Sequence, residues 1–328
     1  MPINKKAIWS DLEHHLHQQI RQLTHPMAEK DLRFVLLVSG GADSLALLRA
    51  FVRVLPAQGL GSAVEVVHFH HGSESVEKPV KAFRDESKRL VEMTCQSLGL
   101  HCQVIKNEAH GNLSEEEARD FRYSSLRTAY SGQTGVVFVL GHHQDDLLET
   151  RLLRLMRGTG IEGLVAMKTF SAPYFRPWLR RSRVELEAYL VALGQNWLVD
   201  PSQSDLRSWI RRELVPMLEG KQSGMVSAMA RSLEQIADFA AQKSSELEEA
   251  FLGNGAISHP HFICLSREQQ RQVLAKYMSS LGRQDYSRGQ IDEIIKRLDK
   301  STKVHTFQIS GLDWMVNAEQ IRALPALK

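Results

Sequence analysis

The sequence predicts an α/β protein: a doubly wound, mainly parallel sheet, followed by a smaller, mostly helical domain. Three observations support this. Short, continuous apolar runs such as "RFVLLV" and "VVFVL" alternate with longer stretches of helical period. Two of those runs end in a glycine turn that opens a helix. From Val215 to about Leu252 the strand signal disappears and Ala, Met, Glu and Gln dominate. Strands alternating with helices imply a parallel sheet covered on both faces, because each right-handed crossover lays its helix on the sheet.

The elements follow in order. Trp9 to about His25 carries Leu12, Leu16, Ile20 and Leu23 in steps of three and four, an amphipathic helix. "RFVLLV" is the first buried strand and "DSLALLRAFVRVL" the helix after its glycines. "AVEVVHFH" is the second strand, and "VEKPVKAFRDESKRLVEMTCQSLG" is a helix ending at a capping glycine, Gly99. "HCQVI" is a short third strand. "NLSEEEARDFRYSSLRTAY" is a helix in which Ser114 and Glu117 have capping-box spacing. "GVVFVLGHHQDDLLETRLLRLMRG" repeats the first unit of strand, turn and helix. The domain limits are set at residues 1–215 and 216–328. In the second domain "FLGNGAISHP" breaks the helical pattern, "REQQRQVLAKYMSSLG" and "SRGQIDEIIKRLDK" restore it, and "KVHTFQIS" and "LDWMVN" are two short strands.

Composition excludes several classes. With 43% hydrophobic and 24% charged residues the chain can bury ordinary cores, so disorder is not expected. Its apolar runs are far shorter than the roughly 20 residues that cross a bilayer, and the first twenty residues lack a signal-peptide pattern. A cytoplasmic protein without a membrane partner is the expectation. Cys95, Cys102 and Cys264 lack C-x-x-C spacing, which argues for plain buried thiols rather than a disulfide framework or zinc site. The net charge of +3 is small, but Arg151 to Arg183 holds eight basic residues (Arg151, Arg154, Arg157, Lys168, Arg176, Arg180, Arg181 and Arg183) against Glu162, net +7. Arg207, Arg211 and Arg212 follow. Such runs are commonly solvated helix faces, and charge alone does not make them a binding site.

The loop "SGGADS", Ser39 to Ser44, sits where ligands bind in doubly wound sheets, beyond the carboxyl end of the first strand. Gly40 and Gly41 let the backbone approach an anion. The hydroxyls of Ser39 and Ser44 and the amides opening the next helix can donate to phosphate oxygens. It is neither the G-x-x-x-x-G-K-[ST] nor the G-x-G-x-x-G loop. Asp43 would repel phosphate unless a divalent cation lay between them, and Mg2+ suits one carboxylate plus phosphate oxygens. The plainer alternative is a glycine turn with Asp43 on the helix dipole. Five specified positions recur by chance in such a chain only about once in several thousand.

At the end of the later strand, Asp145, Asp146 and Glu149 fall in the first turns of a helix. Asp146 and Glu149 share a face, and His142 lies four residues before Asp146. This pair can hold a cation or an ammonium group. Acids relieving the helix dipole are the alternative.

"SGGADS" matches S-G-G-x-D-S, the loop of the PP-loop ATP pyrophosphatases. That resemblance implies ATP binding, release of pyrophosphate and an adenylylated substrate. "LGHHQDDLLETRLLRLMRGTGIEGLVAM" resembles the signature of the tRNA(Ile)-lysidine synthetase family, including the turn Arg157 to Gly160. "VHFHHG", with His71 and Gly72 in motif positions, "NLSEEEARDFRY", "FRPWL" and "YLVALGQNWLVDPS" are similar to further family segments. The C-terminal part resembles the family's middle domain more loosely, and the last domain of longer members has no counterpart. Departures fall at Gln203 and Ser208, where the family has asparagines, and at Ser73 in place of a leucine. These bear on tRNA positioning and not on the ATP loop.

The resemblance implies that the wobble cytidine of tRNA(Ile) with a CAU anticodon is adenylylated by ATP, and that free L-lysine then displaces AMP to give lysidine. It implies an ATP and pyrophosphate site of Ser39, Gly40, Gly41, Ala42, Asp43, Ser44, His71, Gly141, Arg157 and Gly158. Asp43 would hold Mg2+, and Asp146 and Glu149 would orient the lysine. The catalytic set is Asp43, His142, Asp146 and Glu149, with the base left open among His142, His143 and a phosphate oxygen. Arg176, Arg180, Arg181, Arg183, Arg207 and Arg211 are assigned to tRNA phosphates. Arg119 and Arg122, one turn apart, are grouped with them, although ATP or a helix-surface salt bridge would also suit them. A homodimer is left open. The rival expectations are a thiolating PP-loop enzyme, which usually needs a reactive cysteine pair, an amide-forming relative, and a nucleotide or RNA binder that has lost catalysis.

Overall fold

The computed structural model describes residues 9–24, 32–59, 64–72, 78–107, 115–159, 161–200, 206–281, 287–298 and 304–325. Ser73, Ser114 and Gln203, singled out above, lie outside them. The chain divides into two compact units, one of residues 1–159 with 166–230 and one of residues 160–165 with 231–328.

In the first unit the expected alternation is present: α1 (Asp11–Thr24), β1 (Arg33–Leu37), α2 (Ala42–Val54), β2 (Val64–His70), α3 (Lys78–Ser97), β3 (Cys102–Lys106), α4 (Glu115–Ala129), β4 (Val136–Val139) and α5 (Gln144–Met156). A hairpin of β5 (Phe170–Ser171) and β6 (Tyr174–Phe175) follows, then α6 (Arg183–Ala192). The sheet order is β3-β2-β1-β4-β6-β5, parallel except for the β5–β6 pair. The hairpin, two residues per strand, is too short to show a sequence period and was not expected.

The period of two along β1 divides the core. Phe34 and Leu36 join a cluster with α1, α2, α3 and α6, whereas Val35 joins Val67, Phe69, Phe138 and α4 residues Leu126 and Tyr130. Both faces are therefore covered, which explains why β1 reads as an unbroken apolar run. Consecutive strands step outward from β1 to β3, and the chain then returns across α4 to place β4 on the other side of β1. The β1/β4 boundary is the topological switch point, where crossovers diverge and leave a crevice.

A helical segment continues through α7 (Leu206–Trp209), a π turn at Ile210–Leu214 and α8 (Val215–Lys221). Next comes α9 (Met225–Glu248). The second unit contains β7 (Ile257–Ser258), α10 (His259–Cys264), α11 (Arg267–Ser280), α12 (Arg288–Leu298), β8 (His305–Ile309), β9 (Leu312–Val316) and β10 (Gln320–Pro325). β8 and β9 match the two expected strands, and β7 and β10 extend them to an antiparallel sheet of order β7-β10-β9-β8. Its core joins Phe262, Leu274, Met278, Ile294, Ile295 and Trp314. Of the thiols expected to be buried, Cys95 is buried, while Cys102 is half-buried and Cys264 exposed.

Candidate active site

The switch point opens into a cleft of about 230 Å3 lined by Leu37, Val38, Ser39, Asp43, Ser44, Phe69, His71, Arg122, Leu140, Gly141, His142 and Asp146 and partly open to solvent. It brings together most of the residues singled out at the two glycine turns.

The first turn is held by its own hydroxyls. Ser44 Oγ donates to the Gly41 carbonyl at 3.0 Å, receives the Ser39 amide at 3.2 Å and lies 3.2 Å from Ser39 Oγ. The Ser87 hydroxyl of α3 donates to the Ser39 carbonyl. Gly40 has φ +91°, and a β-carbon there would lie 2.7 Å from Ser87 Oγ, so both conformation and space exclude a side chain. Gly41 is the N-cap of α2 and supplies no side-chain cap. The first intrahelical bond is Leu45 N–H to the Gly41 carbonyl at 3.1 Å. The amides of Ala42, Asp43 and Ser44 therefore lack helical acceptors and carry the positive end of the helix dipole.

The second turn is pressed against the first. A β-carbon on Gly141 would meet Asp43 C at 3.0 Å, Asp43 O at 3.1 Å and Ser44 N at 3.1 Å, all backbone atoms. Beyond it His143, 1% exposed, is the N-cap of α5. Its Nδ1 accepts the Asp145 amide at 3.2 Å, while its own amide donates to Asp146 Oδ2 at 3.0 Å. Its Nε2 lies 3.5 Å from Asp43 Oδ1 and 3.4 Å from Asp146 Oδ2. His143 thus ties together the carboxylates of both turns, a role that sequence alone did not single out. Burial pushes its imidazole down, but Asp43, Asp146 and Asp145 push it up by more, so its pKa is raised. Burial pushes Asp43 up, and His143 and Arg183 overcome that, leaving it below its ordinary value. Despite its proximity to His143, Asp43 Oδ1 is a buried oxygen with no hydrogen-bond partner.

Two further imidazoles face the cleft. His142 is pushed down to about 4, by burial first and then by Arg176, Arg122 and Arg207, against the pull of Asp146. His71 is also pushed down to about 4, by burial and then by Arg122 and Arg84. Both are neutral at pH 7. An unfolded imidazole titrates near 6.5, so between about pH 6.5 and 4 the unfolded chain takes up protons that the folded chain refuses. Stability should fall as pH drops through that window, each residue contributing up to about 3 kcal/mol. His143 has the opposite sign: its contribution is complete below about pH 6.5 and is lost as pH rises through its folded pKa. Urea midpoints measured from pH 7 to 4.5 should decline in the parent and decline less in His142→Gln; parallel curves would contradict this.

Glu149, 2% exposed, is engaged away from the cleft lining. Arg211 clamps it with two hydrogen bonds, Nε to Oε1 at 2.7 Å and Nη2 to Oε2 at 2.9 Å, and Arg207 Nε lies 3.8 Å from Oε2. Burial raises the Glu149 carboxyl above its ordinary value despite Arg211, and the same pair raises the guanidinium. Arg211 also comes within 3.7 Å of Asp146. A cation could reach Glu149 only by displacing Arg211, whereas Asp146, held by His143 and near Arg211, itself lines the cleft.

The other basic residues are dispersed. Arg181 pairs with Asp11 at 2.7 Å and Glu185 at 3.0 Å, and Arg183 with Glu187 at 2.8 Å. Arg180 is exposed. Arg176 is buried and donates to the Lys168 carbonyl, Arg119 lies over the Tyr123 ring, and Arg122 lines the cleft. Arg157 and Gly158 follow the last turn of α5 and are exposed, so the helix length, about 20 Å for its span, separates them from the glycine turns at its other end. The structure does not bring these two to the ATP loop. Among the described residues, no cysteine lines the cleft.

The switch-point cleft and its amide cradle define a nucleotide-binding α/β domain, and residues 12–218 match the family described as the PP-loop domain. The U34-tRNA thiolase NcsA of Methanococcus maripaludis shares the fold at 13% identity, with a TM-score of 0.51 over 69% of this chain and 80% of that one. Within the PP-loop class, the chain belongs to the tRNA(Ile)-lysidine synthase family. The tRNA(Ile)-lysidine synthase of Bdellovibrio bacteriovorus is 37% identical over 319 residues, covering 95% of this chain and 96% of that protein. That of Deinococcus radiodurans is 31% identical over 325 residues, covering 94% of this chain but 51% of the relative, so this chain spans about half of it.

Proposed function

We propose that this chain joins the amino group of free L-lysine to the 2-position of the wobble cytidine in tRNA(Ile) with a CAU anticodon, using ATP. The observation that carries this reading, beyond family membership, is a single cleft lined by both the amide cradle and a carboxylate, Asp146, on facing turns. In the first step the cytidine 2-oxygen attacks the α-phosphorus of ATP and pyrophosphate leaves. The amides of Ala42, Asp43 and Ser44 and the hydroxyl of Ser39 are placed to take up the departing negative charge. Asp43 Oδ1, which has no hydrogen-bond partner and lies 3.5 Å from His143 Nε2, is a carboxylate oxygen beside the amide cradle and fits Mg2+, which binds one or two carboxylates and fills its shell with phosphate oxygens and water. Mg2+ held there would offset charge on the leaving pyrophosphate.

In the second step the lysine nitrogen attacks C2, the C–O bond to AMP breaks, and the ammonium proton must go to a base. Asp146 attracts and orients the ammonium group. His142 lines the cleft, is neutral at pH 7 and has a buried Nδ1 without a partner, so it is positioned to receive the proton only once attack on C2 has made the nitrogen strongly acidic, and His143 or a phosphate oxygen is the alternative acceptor. The decisive assay incubates the protein with ATP, Mg2+, radiolabelled lysine and an isoleucine tRNA transcript with a CAU anticodon. Lysine should become covalently attached to the RNA, and no labelling beside an active control synthase refutes the reading.

Among the basic residues, Arg180 is exposed and makes no ion pair among the described residues, whereas Arg181 is held by two carboxylates. Arg180→Gln should flatten the slope of log affinity against log salt by about 0.7 to 0.9 without changing Tm. Arg181→Gln should lower Tm as well. An unchanged slope in Arg180→Gln removes it from the RNA contact.

A further inference from the structure

Beside the cleft, α4 and β6 build a cluster that the chemistry above does not use. Tyr123 and Tyr174 meet edge to face, with ring centroids 5.1 Å apart. The Arg119 guanidinium lies over the Tyr123 ring at 4.8 Å, and that of Arg176 lies over the Tyr174 ring at 5.7 Å, with the Tyr123 hydroxyl beside it. Arg127 adds a further positive charge close to Tyr174. The arginines elsewhere in this unit that face a carboxylate do so at short range, as Arg181, Arg183 and Arg211 do. Arg119, Arg127 and Arg176 make no ion pair among the described residues. Arg176 is only 8% exposed, and its Nε is buried without a hydrogen-bond partner. Arg176 is held by the Lys168 carbonyl and the Tyr123 hydroxyl but meets no carboxylate among the described residues, so the cluster carries net positive charge that an anion could offset.

We propose that Tyr123 and Tyr174, rimmed by Arg119 and Arg127 and backed by Arg176, form a subsite for one nucleotide of single-stranded RNA, adjoining the nucleotide that occupies the cleft. It rests on the reading that the substrate is an RNA. A tyrosine face stacks any base, and the arginines take the neighbouring phosphate, which is how unpaired loops rather than duplexes are gripped. The subsite is continuous with the cleft through Arg122, which lines the cleft one turn along α4 from Arg119, and through the influence of Arg176 on His142. Arg176 acts as a positioning residue, lying over the Tyr174 ring and donating to the Tyr123 hydroxyl.

The test uses the full chain and a fluorescent RNA hairpin with a CAU-containing seven-nucleotide loop, carrying 4-thiouridine beside the target cytidine for photocrosslinking. Tyr123→Ala should weaken hairpin binding roughly tenfold, while Tyr123→Phe stays near the parent. Arg119→Gln should flatten the salt slope by about 0.7. ATP affinity and Tm should hold in all three, and the crosslink should map to α4 or β6. If the parent labels tRNA with lysine but Tyr123→Ala binds the hairpin like the parent, or if its loss is matched by equal losses in ATP affinity and Tm, the subsite is overturned and the ligase reading stands. If the parent neither binds the hairpin nor labels tRNA, both fall.

Discussion

Replacing Asp43 by asparagine is expected to lower the rate of pyrophosphate release by at least about 100-fold at fixed Mg2+, the scale seen when one preorganised electrostatic group is removed from a transition state. The substitution keeps size and helix placement and removes only the charge. Asp43 Oδ1 is buried without a hydrogen-bond partner, and its one close charged neighbour among the described residues is His143. Its neighbour His143, 3.5 Å away, retains Asp145 and Asp146, which should limit the loss of folding stability. Raising Mg2+ should recover part of the activity if the carboxylate serves the cation. Pyrophosphate release at the parental rate and the same Mg2+ requirement would overturn the assignment.

The second large effect is expected at Gly141. Alanine there would place a carbon 3.0 to 3.1 Å from backbone atoms of Asp43 and Ser44, which cannot rotate away as a flexible side chain would. Either the start of α2 or the end of β4 must shift. Overpacking of this kind costs about 1–3 kcal/mol, and misplacing the amide cradle by a fraction of an ångström should lower kcat/KM for ATP about 10- to 100-fold. Gly220 in α8, whose added β-carbon would meet nothing within 4 Å, is the matched control and should tolerate alanine. Equal Tm and ATP kinetics for both substitutions would show that the two turns are not interlocked as described.

Much of the fold was legible because burial on both faces leaves a plain mark. β1 and β4 read as continuous apolar runs, since Phe34 and Leu36 face one core and Val35 the other. The hairpin of β5 and β6 left no such mark, because two residues per strand give no period. β10 was missed for a related reason: Gln320 to Pro325 mixes polar and apolar residues, and a terminal proline speaks against a strand.

The site divides similarly. Ser39 to Ser44 could be read because the features of the proposed phosphate cradle are local: its hydroxyls, amides and glycines lie within six consecutive residues. Asp43 and Asp146 could each be suspected, but their relation to one another depended on β4 crossing back beside β1. That crossing makes His143 the link between the two turns and gives Gly141 its steric role. It was also tertiary structure that engaged Glu149 with Arg211, 62 residues away along the chain, and set Arg157 and Gly158 a helix length from the cradle. Sequence by itself determined the elements and the local chemistry of each turn, because hydrophobic period, glycine conformation and helix-end amides are properties of short segments. Only the tertiary structure decided which charges meet. Ion pairing and desolvation depend on distances across the fold, and spacing along the chain does not encode them.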